Sequence, residues 1–233
     1  MSIRILALNT TMDSCSVALL NNTHISIRFK IMSCSHKRSV LALIQDLLYE
    51  QKIKLSCLDL IAYNRGPGSF NGIRFGFCIA QGLAFGANLP MTGISSLLII
   101  AQKAWCQTGI TQILVAIDAR IGEIYWAEYR RDDKTGKWLG IETESLISLE
   151  IALKRIATLY GRWAIAGSAW QAYPSLLIPS NVQFLNSNVL NSVAEDMLSL
   201  ASDSWQNNNI TQVDYADLTY LHKDIEWKKL PGR

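Results

Sequence analysis

The residues that could do chemistry are few, and they fall in turns. Asn9-Thr10-Thr11-Met12-Asp13-Ser14 separates two apolar runs, and its hydroxyls and backbone N–H groups are of the kind that bind phosphate. Its first residue is neutral, so it supplies neither a general base nor a good Mg²⁺ ligand. The same residue types also build ordinary hairpin turns, and both readings stand. A second stretch, Arg65-Gly66-Pro67-Gly68-Ser69-Phe70-Asn71-Gly72-Ile73-Arg74, places glycines ahead of a predicted helix, where backbone N–H groups can approach an anion. It fits neither a Walker loop nor a GxGxxG fingerprint. Gly72, Gly76 and Ala80 then recur every four residues. Each glycine costs a helix about 1 kcal/mol relative to alanine, so the stripe implies close packing, against the first helix or against another protein. Asp118 and Glu123 flank a strand turn, a pattern more common on surfaces than in catalysis. His24, His36 and His222 are never four residues apart, which leaves no zinc motif and no Ser/His/Asp set arguable from spacing.

The elements that must position these groups alternate between strands and helices. Ile3–Leu8, Cys15–Leu20 and Ile25–Ile31 read as an antiparallel meander. A helix follows over His36–Glu50, with Val40, Leu43, Ile44 and Leu47 at helical spacing. Then come a strand at Leu58–Tyr63, a helix over Asn71–Gly86, a strand at Pro90–Ile94 and a helix over Ser95–Gln107. The second part repeats the opening, with strand Ile113–Ile117, turn Asp118–Gly122, strand Glu123–Tyr129 and a hairpin into Trp138–Ile141. Helices over Leu149–Leu159 and Asn191–Trp205 enclose a strand at Trp163–Ala166, and the tail holds one strand-like piece, Leu218–Leu221. The weak repeat predicts an α/β protein of two βββαβα-type halves, residues 1–104 and 105–233.

Composition agrees with a break near residue 105. Residues 1–104 carry ten Lys/Arg against four Asp/Glu, whereas 105–233 carry twelve against fifteen, and all seven Trp lie in the second part. With 49% hydrophobic and 18% charged residues the chain can build a core, which excludes disorder. The basic excess lacks aromatic interleaving, so a solvated surface is favoured over RNA binding. The five cysteines (Cys15, Cys34, Cys57, Cys78, Cys106) form no CxxC pair and read as reduced thiols of a cytosol. The N-terminus lacks the pattern of a cleavable signal, and the apolar run Leu97–Ala101 is too short to span a membrane.

Ile5-Leu6-Ala7-Leu8-Asn9-Thr10, the Arg65–Arg74 block, Ala80-Gln81-Gly82-Leu83-Ala84, Ile117–Tyr129 and the tail Trp227–Gly232 together resemble the TsaB (YeaZ) family over essentially the whole chain. The resemblance implies an actin-like (ASKHA, ribonuclease H-like) fold with two duplicated α/β lobes. It also implies a non-catalytic role in making N6-threonylcarbamoyladenosine (t6A) on tRNA, in the cytoplasm. The expected partners are the paralogue TsaD, which transfers the threonylcarbamoyl group, and the ATPase TsaE. tRNA would be reached only through that complex, and no membrane is involved. No cofactor is expected, with a nucleotide only at the partner interface.

The histidines that hold the TsaD metal would be replaced by Ser96 and Ile100, a weak ligand and none at all. The family joins TsaD through its first two helices, and forms a homodimer through the same face without TsaD. Carried over, the interface residues are Leu41, Gln45, Leu48, Gly72, Arg74, Phe75, Gly76, Cys78 and Ile79, and the last segment packs back on the first lobe. Phe75 and Phe77 are bulkier than the aliphatic residues usual in the family. Relatives usually have Asp at the position of Asn9, so Asn9, Thr10, Thr11 and Ser14 would form a vestigial nucleotide turn. The alternatives are an actin-like kinase or ATPase using Asn9–Ser14 and Asp118–Gly122, and an RNA-binding module.

Overall fold

The computed structural model describes residues 3–11, 14–31, 39–178 and 182–221. Two sheets of like topology make up the molecule. The first takes β1 (Arg4–Asn9), β2 (Ser14–Asn21), β3 (His24–Ile31), β4 (Leu60–Gly66) and β5 (Met91–Ser95) in the order β3-β2-β1-β4-β5. The second takes β6 (Gln112–Arg120), β7 (Glu123–Arg131), β8 (Trp138–Leu139), β10 (Gly161–Ala166) and β11 (Val182–Asn186), with β9 (Ser145–Ser148) added beside β7. Read as β8-β7-β6-β10-β11, its order is that of the first sheet. In each, an antiparallel hairpin leads and the first strand then pairs in parallel with the fourth, β1 with β4 and β6 with β10. Parallel neighbours need a crossover, and helices α1 (Ser39–Glu50) and α4 (Leu149–Thr158) lie in those two connections. Each half continues through two more helices: α2 (Phe70–Ala87) and α3 (Ser96–Thr108), then the short α5 (Ala169–Ala172) and α6 (Ala194–Gln206). This is the expected α/β, two-lobed actin-like arrangement.

Three apolar layers hold it. One outer layer joins Val40, Ile44 and Leu47 of α1 and Ala80 and Ala84 of α2 to Leu6, Leu8, Val17, Leu19 and Ile61 of the first sheet. The other packs Ala152 and Ile156 of α4 on the second sheet with Trp126, Trp163 and Trp170, which gives the tryptophan-rich half its separate core. Between the sheets, α3 and α6 share one core with both, including Ile5, Ala7, Ala18 and Ala62 of the first and Ile113, Val115 and Ile117 of the second. The alanines of β1, β2 and β4 leave room for α6 against the first sheet.

Several elements differ from the sequence reading. α3 spans residues 104 and 105, as the helix expected over Ser95–Gln107 does, while β6 runs on to Arg120, beyond the strand expected over Ile113–Ile117. The Asn191–Trp205 helix begins at Ala194. The strand expected over Trp138–Ile141 is cut to two residues by Gly140, whose φ is 94° and whose added Cβ would stand 2.1 Å from the Glu128 carbonyl oxygen. β9 and β11 were not predicted, because four or five half-exposed residues carry too short a pattern. Leu218–Leu221 forms no strand; it is tied to β4 by one bond, Thr219 N to Arg65 O at 2.9 Å. The segment from Ile210 to Tyr220 lies on the first lobe. Met91 and Thr211 exchange both backbone bonds at 2.8 Å, and the Tyr63 hydroxyl donates to Asp217 O at 2.7 Å. The start of the first helix at His36, together with Met12, Asp13, His222 and the tail from Trp227, lies outside the described residues.

Candidate functional site

Asn9, Thr10 and Thr11 follow from the end of β1 and are all buried. Their polar atoms meet atoms of the same chain. Asn9 Nδ2 donates to Ser192 O at 2.7 Å and to Ser192 Oγ at 3.0 Å. Asn9 Oδ1 accepts from Thr11 Oγ1 at 2.9 Å, Thr11 N at 3.3 Å and Asn64 Nδ2 at 3.1 Å. Asn64 Oδ1 in turn accepts from Ser96 Oγ at 2.7 Å and Gly66 N at 2.9 Å. Ser192, just ahead of α6, thus carries a hydroxyl from the second half of the chain into the first turn. The network is neutral throughout, which suits a buried site where an unpaired charge would be costly. Among the described residues of the turn, the Asn9 amide, the Thr10 and Thr11 hydroxyls and the Thr11 N–H all bond within the chain. Ser14 enters β2 opposite Ile31.

The glycine-rich block packs onto the same turn. Ser69 N donates to Thr11 O at 3.0 Å, and a Cβ on Gly68 would come within 3.0 Å of Thr11 Cβ. A Cβ on Gly72 would stand 2.3 Å from Thr10 O, and one on Gly76 2.2 Å from Thr10 Oγ1. Thr10 Oγ1 also donates to Gly72 O at 2.7 Å. Gly72 and Gly76 therefore face the chain's own first turn, whereas Ala80, next in the stripe, lies in the outer core with the first helix. Gly72 and Gly76, expected at the partner face, turn the side on which a Cβ would stand toward Thr10.

The other expected interface residues divide by exposure. Leu41, Gln45, Arg74 and Cys78 are exposed, whereas Leu48, Phe75 and Ile79 are half-buried against the outer core. Sequence reading missed the larger apolar groups beside them. Tyr49 on α1 is 86% exposed and Phe85 on α2 is 76% exposed, with Phe70 also open. Their signal was present: they stand off the stripes that bury Ile44 and Leu47 on α1 and Ala80 and Ala84 on α2. Arg74 places its guanidinium 3.5 Å from the Phe70 ring centre and donates to the Tyr220 hydroxyl at 2.9 Å. The first two helices thus show an outward face of aromatic and aliphatic groups with one cation stacked among them.

The remaining candidates lie apart. Ser96 and Ile100 are buried, Ser96 in the asparagine network and Ile100 in the inter-sheet core. Among the described residues, no three His, Cys, Asp or Glu side chains come together as a metal site. Asp118 Oδ1 accepts from Arg120 N at 2.9 Å and from the Tyr173 hydroxyl at 3.0 Å, a bond that raises the tyrosine's pKa. Glu123 is exposed and pairs across the hairpin from Arg120, so the two carboxylates form no acid–base pair. Among the described residues no helix is long and apolar enough to cross a membrane.

Known proteins share this whole frame. The TsaD family model, described as tRNA N6-adenosine threonylcarbamoyltransferase, matches residues 27–202. The tRNA threonylcarbamoyladenosine biosynthesis protein TsaB of Escherichia coli (strain K12) is 44% identical over 230 residues, 99% of each chain. TsaB of Haemophilus influenzae is 34% identical over all of this chain and 99% of its own. The solved structure of YeaZ from Pseudomonas aeruginosa superposes with a TM-score of 0.81 at 33% identity, covering 94% of this chain and 100% of that one.

Proposed function

The chain belongs to the TsaB family, and on that premise we propose that it serves t6A synthesis as a non-catalytic subunit that binds TsaD and works with TsaE. The observation carrying this reading is the exposed apolar face of α1 and α2, set beside a first turn in which the Asn9, Thr10 and Thr11 side chains bond within the chain. A protein that acts by contact needs the former and can dispense with an open nucleotide turn. Docking through Leu41, Tyr49, Phe85 and the Phe70–Arg74 pair would stabilise a competent TsaD conformation by binding it preferentially. The same face would join two copies when TsaD is absent. The setting is the cytoplasm, where tRNA is reached through the complex.

The test is co-purification with the cognate TsaD and TsaE, followed by assay of tRNA modification. Leu41→Glu combined with Phe85→Glu touches only exposed positions. It is expected to weaken the complex at least tenfold and to lower modification with it. Full modification with the complex demonstrably absent overturns the proposal. Titration with ATP and Mg²⁺ separates it from the kinase reading, which requires one-to-one binding with turnover by the lone protein. A gel shift with tRNA at moderate salt separates it from the RNA-binding reading.

A further inference from the structure

A cavity of about 440 Å³ opens between the two halves, and none of Asn9, Thr10, Thr11 or Asp118 lines it. Its apolar wall comes from Ile94 and Leu98 on one side and Trp138 on the other. Arg65, the penultimate residue of β4, and Lys137, just before β8, supply two cations. Arg65 is half-buried, and its Nε is shut off from water with no hydrogen-bond partner among the described residues. Neither cation belongs to any ion pair found among those residues. A guanidinium cannot shed its proton, so the half-buried cation keeps its charge beside the cavity. The single carboxylate on the wall, Asp203, is pushed toward its neutral form by partial burial, while Arg131 pulls the other way. A cavity of this size, largely apolar with a few convergent polar groups, is typical of a small-molecule site.

We infer that this cavity binds a small organic anion, its carboxylate or phosphate group held by Arg65 and Lys137 and its flat apolar body set against Trp138, Ile94 and Leu98. Phenyl phosphate and benzoate carry the same ring on the two head groups, and benzyl alcohol carries it on a neutral one. Calorimetric titration of the full chain should give saturable one-to-one binding of at least one anion, at least tenfold tighter than benzyl alcohol. The better of the two anions identifies the head group. Arg65→Gln and Lys137→Gln should each weaken that binding tenfold or more, whereas Lys54→Gln, off the cavity wall, should leave it unchanged. The inference is overturned if neither anion saturates, if the neutral alcohol binds as tightly, or if folded Arg65→Gln and Lys137→Gln proteins bind as before. Should Arg65→Gln fail to fold by circular dichroism, Lys137→Gln decides alone.

Discussion

Asn9 donates to Ser192 and accepts from Thr11 and Asn64, so a carboxylate there would face the Ser192 carbonyl oxygen with no proton between them. Asn9→Asp should destabilise the fold by about 1–3 kcal/mol at pH 7, the cost of a buried polar group losing its partner. The carboxyl would be held protonated in the folded state above its ordinary range. Stability should therefore recover on acidification, read as the urea midpoint at pH 5 against pH 7. Two glycines of α2 make a sharper pair. A Cβ on Gly72 meets a fixed backbone oxygen at 2.3 Å, whereas one on Gly82 meets nothing within 4 Å. Gly72→Ala should cost about 1–3 kcal/mol through overpacking, while Gly82→Ala should gain up to about 1 kcal/mol of helix propensity. Equal midpoints for the two variants would contradict the packing described for the first turn.

At the scale of elements, α3 and α6 meet between the sheets and are linked by Lys103 Nζ and Asp196 Oδ2 at 3.4 Å. Burial pushes the Asp196 pKa up to about 6, with Lys103 opposing the rise and Glu195 adding to it. The folded value lies above the unfolded one, so between pH 4 and 6 the folded chain keeps a proton that the unfolded chain has lost. This contribution is present at low pH and fades as pH rises through about 6. Between pH 4.5 and pH 7 it is worth about 2 kcal/mol. Asp196→Asn should remove this part of the slope, seen by comparing the pH dependence of the two urea midpoints. An unchanged slope would assign the pH response to other groups.

For the whole molecule, the shared core predicts joint unfolding of the two halves. Trp126, Trp163 and Trp170 lie in the outer core of the second half, while Cys15 is fully buried in the first. In a variant keeping Cys15 as its sole thiol, fluorescence and thiol labelling should report the same urea midpoint. Separate midpoints would mean that the halves fold independently and that α3 and α6 do not join them. The two sheets of like topology each carry an outer core of their own and share a third between them.

What the sequence determined by itself was set by periodicity and by local residue type. The β-meander, the alternation of strands and helices, the repeated strand–turn–strand and the family motifs were all legible there. Residues close in the chain settle those features. What only the tertiary structure decided depends on partners far apart. Asn9 finds Ser192 across 183 positions, a contact that no local pattern could announce. The direction of the glycine stripe was equally open, since helical spacing names a face without naming its neighbour. Thr10 lies against that face at Gly72 and Gly76, and Arg74 and Phe85 on the opposite side of the helix are exposed.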